Sequence, residues 1–182
     1  MKVAVYFGTG YEEIEALSVV DILRRGKVEV TMVGVSGNSV VSSRGVSINM
    51  DQTIDQVDHT TIDMMVLPGG VPGVNHLEEN SILIEQLKLF KEQNKWLAAI
   101  CAAPSILGKQ GLLNGEIATC YPGYEKYLLG CQYQEDGVVI SNHIVTGKGA
   151  GYSISFALKL LEIIKGESVA LEVKEGMLIT DK

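Results

Sequence analysis

A short apolar run that ends in a cysteine constrains the fold of this chain more than any other feature. Residues 96–100 are apolar and are followed by Cys101, two alanines and Pro104. This order is typical of a buried strand, a sharp turn and a helix that tolerates proline in its first turn. A thiol at a helix N-terminus favours the thiolate. Two interpretations stay open at this point, a reactive thiol and an inert core cysteine.

Strand-like and helical patterns alternate along the rest of the chain. This alternation predicts an α/β fold with a doubly wound, mostly parallel sheet and helices on both faces. Strands are predicted at 2–7, 29–34, 64–67, 96–100 and 117–120, with hairpins at 40–49 and 138–146. Helices are predicted at 12–25, 81–93, 104–110, 124–128, 152–165 and 168–175, and a tail at 176–182. No linker or repeat interrupts the 182 residues, so we expect a single domain covering 1–182.

Composition and charge exclude several classes of partner. The net charge is −7, which opposes binding to nucleic acid or to an anionic membrane surface. No apolar run approaches the roughly 18 residues that a membrane span needs. The N-terminal residues lack the pattern of a secretory signal peptide. We therefore expect a cytoplasmic protein with neither nucleic-acid nor membrane partners.

The cysteines and the glycine-rich turns give no indication of a cofactor. Three cysteines without paired spacing fit a reducing compartment and do not form a metal-binding pattern. The turn 8–10 contains two glycines, but Glu12 and Glu13 follow where a phosphate would lie. Cys120 and Cys131 lack the turn context of Cys101 and are interpreted as structural. No cofactor and no metal are expected.

Three predicted strand ends carry residues that are suited to take part in catalysis. In a doubly wound sheet, ligands bind beyond the carboxyl ends of the central strands. Glu15, the turn 68–70 and the pair Cys101–Ala102 are expected to meet there. A protonated Glu15 that donates to the thiolate would lower the pKa of Cys101. Two simpler interpretations stay open, an ordinary tight turn at 68–70 and an exposed helix carboxylate at Glu15.

The remaining candidates carry weaker signals. His59, His76 and His143 lie in predicted loops, so no Cys–His dyad is assigned. Arg44 lies at the tip of a predicted hairpin, where it is either a solvated charge or a ligand-binding residue.

Four segments together resemble a known family. They are 12–15 (EEIE), 43–46 (SRGV), 66–70 (VLPGG) and 98–104 (AAICAAP), in this order and spacing. The chain resembles the ThiJ/PfpI family, and within it the DJ-1/YajL-like branch, from end to end. The resemblance implies a flavodoxin-like fold, a homodimer and an oxidation-sensitive cysteine nucleophile.

The resemblance also implies roles for individual residues. Cys101 matches the reactive cysteine, Glu15 its protonated partner, and the Gly70 and Ala102 N–H groups the oxyanion donors. Gly69, Arg44 and Tyr121 match substrate-binding positions. Arg25 and Arg44 match positions near the dimer interface and the pocket rim.

The function implied by this resemblance is a cysteine-dependent stress-protection protein. The favoured activity is a glutathione-independent glyoxalase or deglycase acting on methylglyoxal-type 2-oxoaldehydes or their protein adducts. The alternative is an oxidation-sensing redox chaperone without turnover. Tyr121 replaces a histidine of some members, and Ala102 replaces the histidine of the family's peptidases, so protease activity is not expected. Ala150 stands where relatives carry proline.

Overall fold

Strands and helices alternate through the described part of this computed structural model, residues 1–180. The strands are β1 (Lys2–Phe7), β2 (Glu29–Gly34), β3 (Ser39–Val41), β4 (Ser47–Asn49), β5 (Gln52–Thr53), β6 (Met64–Leu67), β7 (Trp96–Ile100), β8 (Ile117–Ala118), β9 (Gln132–Tyr133), β10 (Val138–Ser141) and β11 (Ile144–Gly147). The helices are α1 (Glu13–Arg25), α2 (Gly73–Glu79), α3 (Ser81–Glu92), α4 (Pro104–Lys109), α5 (Ser153–Lys165) and α6 (Glu167–Gly176). Short 3-10 helices lie at Ile54–Gln56, His59–Thr61, Glu125–Tyr127 and Ala150–Tyr152. Asp181 and Lys182, which end the predicted tail, lie outside the described residues.

A seven-stranded sheet organises these elements in the order β10-β11-β7-β6-β1-β2-β5. Its neighbouring strands are parallel except for the antiparallel pair β10–β11. The predicted doubly wound, mostly parallel α/β fold is confirmed. Strands β6 and β7 are adjacent, so the turns that follow them lie side by side at one edge of the sheet.

Apolar layers cover both faces of the sheet. Along β1, Val3, Val5 and Phe7 pack with residues of α1, α5 and α6, whereas Ala4 and Tyr6 pack with residues of α2, α3 and α4. Side chains alternate between the two faces of a strand, so a strand buried on both faces is apolar throughout. This explains why β1 is an uninterrupted apolar run after Lys2.

Several elements differ from the prediction. The strand expected at 117–120 ends at Ala118 and pairs in parallel with β9, which was not predicted. Helix α2 was also missed, because its start at Pro72 lacks a side-chain cap and its seven residues include a glycine, an asparagine and a histidine, which are weak helix formers. Residues 51–63, for which no strand or helix was predicted, contain β5 and two 3-10 helices. Within residues 1–180, no helix has the length and apolar character needed to cross a membrane.

Candidate active site

Cys101 follows β7 directly and has an unusual backbone conformation. Its φ of 66° lies in the left-handed region, which L residues adopt at an energetic cost. The Cys101 N–H donates to the Gly147 carbonyl over 2.9 Å, and its carbonyl accepts from the Tyr121 N–H over 2.8 Å. These two bonds fix the turn, and Pro104 then begins α4. The thiol is only partly buried.

The turn after β6 lies beside the Cys101 turn. Gly70 has a φ of 89°, and a β-carbon there would lie 2.6 Å from the Gly10 carbonyl oxygen. The Gly69 carbonyl accepts a 2.9 Å hydrogen bond from the Glu12 N–H. A side chain at Gly70 would therefore separate this turn from the segment that leads into α1.

Glu15 lies in the first turn of α1 with none of its surface exposed. Its carboxylate accepts a 2.8 Å hydrogen bond from the Gly69 N–H. A β-carbon on Gly69 would lie 2.5 Å from Glu15 Oε2 and 3.1 Å from Cys101 Sγ. The carboxyl group and the thiol therefore converge over Gly69, as the strand-end argument predicts.

Burial sets the protonation of this pair. It raises the pKa of Glu15 to about 7, although hydrogen bonding to Cys101 and Gly69 acts in the opposite direction. Burial and the charge of Glu15 raise the pKa of the Cys101 thiol, while the N–H groups of Ala102 and Gly70 lower it. With Glu15 ionised, burial and this charge outweigh the two N–H donors, whereas the predicted lowering of the Cys101 pKa applies to a protonated Glu15 and stays a prediction. A proton on Glu15 removes the repulsion, so the two groups titrate as a coupled pair.

The substrate-binding candidates lie in different places. Tyr121 is 50% exposed and is hydrogen-bonded to Cys101 through its backbone. Arg44 lies in the β3–β4 turn, where its N–H donates to Glu13 Oε1 over 2.9 Å and its guanidinium to the Ser43 carbonyl over 3.4 Å. The structure thus brings Glu15, Gly69, Gly70, Ala102 and Tyr121 to Cys101, whereas the hydrogen bonds of Arg44 lie within its own turn and to Glu13.

Comparison with known proteins places this geometry in a family. A model of the DJ-1/PfpI family matches residues 1–163. The chain belongs to the DJ-1/PfpI family. Protein dj-1beta of Drosophila melanogaster is 35% identical, with 96% of this chain and 95% of that protein covered. The glutathione-independent glyoxalase DJR-1.2 of Caenorhabditis elegans is 35% identical over 85% of this chain and 83% of its own. The solved structure of oxidized Toxoplasma gondii DJ-1 has a TM-score of 0.94 and 38% identity, covering 99% of both chains.

Glu13 holds the turn that carries the candidate residue Arg44, a contact that sequence reasoning missed. Its carboxylate accepts hydrogen bonds from the Ser42 and Ser43 hydroxyls and from the Arg44 N–H. These bonds lower the pKa of Glu13 despite the opposing effect of burial. Glu13 connects α1 to the β3–β4 turn and so fixes the backbone at Arg44. An acidic residue in the first helical turn was visible in the sequence, but its distant partners were not.

The three histidines and Arg25 have their contacts in other parts of the fold. The His59 ring stacks with Tyr6 at a centroid distance of 6.2 Å, and His143 contacts Trp96 edge-on at 4.9 Å. His76 lies in α2 rather than in the predicted loop. Arg25 pairs with Asp21 over 2.7 Å at the end of α1. Among residues 1–180, no cluster of three or more histidine, cysteine or acidic side chains has the arrangement of a metal site.

Proposed function

We propose that this protein is a cysteine-dependent glyoxalase that converts 2-oxoaldehydes such as methylglyoxal into 2-hydroxy acids without glutathione. The convergence of Glu15 and Cys101 over Gly69 carries the proposal. It combines a nucleophile with a proton carrier whose pKa is raised to about 7. A general acid–base group works best when its pKa lies near the working pH. The glyoxalase name of the C. elegans relative supports the same activity.

The first step joins the thiol to the aldehyde. Cys101 Sγ attacks the aldehyde carbon, its proton passes to the Glu15 carboxylate, and the aldehyde C=O π bond breaks. Glu15 then returns that proton to the new alkoxide, giving a hemithioacetal. The N–H groups of Gly70 and Ala102 stabilise the negative charge, first on sulfur and then on oxygen.

The second step moves hydrogen between adjacent carbons. Glu15, again a carboxylate, removes the proton from the former aldehyde carbon and delivers it to the ketone carbon, while the hydroxyl proton of the hemithioacetal passes to the former ketone oxygen through an enediol. The former aldehyde carbon is oxidised to a thioester while the ketone carbon is reduced to an alcohol, so no external oxidant is needed. Water hydrolyses the thioester, which releases the 2-hydroxy acid and restores the thiol. The same addition to aldehyde adducts of proteins would give deglycase activity.

We propose Gly69, Tyr121 and Arg44 as the substrate-binding residues. Gly69 supplies its backbone beside the reacting atoms, and Tyr121 borders the thiol from the neighbouring turn. Arg44 is proposed to contact substrate at the rim of the pocket.

We extend the proposal to a cytoplasmic homodimer of a single-domain chain. Ile14 on α1 is 56% exposed and Val46 beside the β3–β4 turn is 46% exposed. Glu13, next to Ile14, is hydrogen-bonded to the turn, so these apolar side chains belong to adjoining segments. A Val46→Glu variant should weaken dimerisation in sedimentation experiments. A wild-type monomer at all concentrations would contradict the dimer.

The deciding experiment measures lactate formed from methylglyoxal in the absence of glutathione. Cys101→Ala should abolish turnover, and Glu15→Gln should lower it by about 10²–10⁴-fold while the thiol is still alkylated. Cys131→Ala is the matched cysteine control and should retain activity. Lactate formation by Cys101→Ala at the wild-type rate, or loss of methylglyoxal without lactate in the wild type, would refute the glyoxalase.

Redox sensing by Cys101 is the second candidate, favoured by the same backbone donors. The Gly70 and Ala102 N–H groups that point at the sulfur would also bind the oxygens of a sulfinate. The name of the T. gondii structure records an oxidised relative. Mild peroxide followed by mass spectrometry should modify Cys101 before Cys120, which is fully buried. Equal oxidation of all three cysteines would argue against a sensor.

A further inference from the structure

An open cleft of about 300 Å³ lies next to the Cys101 turn, and two tyrosines border it. Tyr121 is 50% exposed and Tyr152 is 43% exposed. The rest of the lining comes from Pro122, Lys148 and the turn 149–151. We call this surface the tyrosine cleft.

Backbone hydrogen bonds connect the tyrosine cleft to Cys101 on two sides. Tyr121 donates its N–H to the Cys101 carbonyl over 2.8 Å. Cys101 donates its own N–H over 2.9 Å to Gly147, the residue before Lys148. Both segments that form the cleft are therefore hydrogen-bonded to the residue that carries the sulfur.

Neighbouring glycines hold the two rings against the backbone. A β-carbon on Gly149 would lie 3.3 Å from Tyr121 Cδ2. The Tyr152 ring occupies the space that a side chain on Gly137 would need. The Tyr152 N–H also donates to the Gly149 carbonyl over 2.8 Å. The aromatic walls are thus ordered by packing while their outer surfaces stay accessible.

The side chain of Lys148, the charged residue of the tyrosine cleft, is hydrogen-bonded to the backbone. Lys148 Nζ donates to the Glu135 carbonyl over 3.1 Å, and the Lys148 N–H donates to the Gly137 carbonyl over 2.9 Å. The ammonium is consequently directed to the backbone of the 135–137 segment. The two tyrosine rings and the glycine turn are left to contact a ligand, and aromatic walls favour planar apolar groups.

We propose that the tyrosine cleft binds the substituent on the ketone carbon of the 2-oxoaldehyde and selects aromatic or bulky apolar substituents over methyl. This rests on the proposed function, because Cys101 must attack the neighbouring aldehyde carbon. Tyr152 becomes a specificity-determining residue that the sequence resemblance does not assign. A methyl group presents little apolar surface to an aromatic wall, so methylglyoxal gains little from the cleft.

The first test needs no turnover. Alkylation rates of Cys101 are measured with 2-bromoacetophenone and with bromoacetone, each divided by its rate with N-acetylcysteine, and Cys101→Ala supplies the background. The wild type should prefer the phenyl reagent, and Tyr121→Ala or Tyr152→Ala should each reduce the preference by about two- to tenfold. Tyr152→Phe, which keeps the ring, should retain it. Leu129→Ala, at an exposed position on the segment that follows Tyr121, is the control. A preference unchanged in both alanine variants would overturn the proposal.

The second test separates this proposal from the glyoxalase itself. Values of kcat/KM are compared for phenylglyoxal, which would give mandelate, and for methylglyoxal. A fall in the phenylglyoxal-to-methylglyoxal ratio in Tyr152→Ala supports the cleft, whereas turnover of both aldehydes with an unchanged ratio refutes the cleft and keeps the glyoxalase. If neither aldehyde is turned over, the glyoxalase fails, and the alkylation ratio alone decides the cleft.

Discussion

Glu15 Oε2 and Cys101 Sγ both lie against the position where a side chain on Gly69 would begin. A β-carbon there would be 2.5 Å from the oxygen and 3.1 Å from the sulfur. Contacts this short require one of the two groups to move. The absence of a side chain at Gly69 is thus a condition for the proposed proton transfer.

Gly69→Ala should separate the carboxyl group from the thiol. We expect methylglyoxal turnover to fall by at least about tenfold and the free energy of unfolding by about 1–3 kcal/mol, because the core around Glu15 is tightly packed. Turnover assays and urea denaturation measure the two effects. Gly176→Ala is the control, since a β-carbon there meets no atom within 4 Å. Equal behaviour of the two variants would contradict the packing argument.

Glu15 should make stability depend on pH. Its pKa is raised from 4.5 to about 7, so the folded state holds a proton that the unfolded state releases. This contribution to the free energy of unfolding is fully present below pH 4.5 and is lost as the pH rises to about 7. Denaturation at a series of pH values should show that the free energy of unfolding of Glu15→Gln does not fall in this way between pH 4.5 and about 7. Glu79→Gln, at an exposed position, is the control and should keep the wild-type dependence of the free energy of unfolding on pH. If Glu15→Gln shows the same dependence as the wild type, the raised pKa of Glu15 is disproved.

Lys91 should stabilise the buried carboxylate of Glu116. Glu116 is 5% exposed and accepts hydrogen bonds from Lys91 Nζ, Ser141 Oγ and Asn142 Nδ2 over 2.5, 2.6 and 2.8 Å. Burial opposes ionisation, but these bonds together lower the pKa of Glu116. Lys91→Met should reduce the free energy of unfolding by about 1–3 kcal/mol near neutral pH.

Two comparisons test that assignment. Because the pKa of Glu116 is lowered, its stabilising contribution is present above the unfolded-state pKa and is lost as the pH falls. The difference in free energy of unfolding between Lys91→Met and the wild type should therefore become smaller at acidic pH. Lys88→Met, an exposed change on the same helix, should be close to neutral. If Lys88→Met lowers the free energy of unfolding as much as Lys91→Met does, the Lys91–Glu116 pair has no specific role.

Glu13 should order the β3–β4 turn. Glu13→Ala removes the acceptor for two hydroxyls and the Arg44 N–H. Amide exchange at Arg44 should accelerate about tenfold, equivalent to about 1.4 kcal/mol of local stability. Hydrogen-exchange mass spectrometry measures this, with Glu85→Ala on α3 as control. Unchanged exchange in this turn would show that the hydrogen bonds do not hold it.

The sequence is most informative where local pattern and burial agree. The predicted bounds of β1 and β6 coincide with those of the structure, because both strands are short, mostly apolar runs that end before Gly8 and Pro68. The convergence of Glu15 and Cys101 also follows from reading three strand ends together. Sheet topology then carries the distant segments to one edge.

The sequence is least informative where contacts join segments that are far apart. Helix α2 has no side-chain cap to mark its start. The contact between Glu13 and the 42–44 turn spans about thirty positions and involves ordinary polar residues. The thiol pKa also depends on burial, which a helix-terminus argument omits. Tyr121 and Tyr152 border one cleft only because the Cys101 turn holds both of their segments.

The left-handed backbone of Cys101, with a φ of 66°, means that the proposed nucleophile and the fold place opposite demands on one position. Folding alone favours glycine at such a φ, and a residue with a side chain is less stable there by about 1 kcal/mol. A cysteine at this position is therefore retained against the preference of the fold. Random substitution screened for thermal stability would tend to replace it with glycine, whereas under the proposed glyoxalase activity screening for aldehyde resistance would restore it. The residue found at this position thus distinguishes variants selected for thermal stability from variants selected for activity.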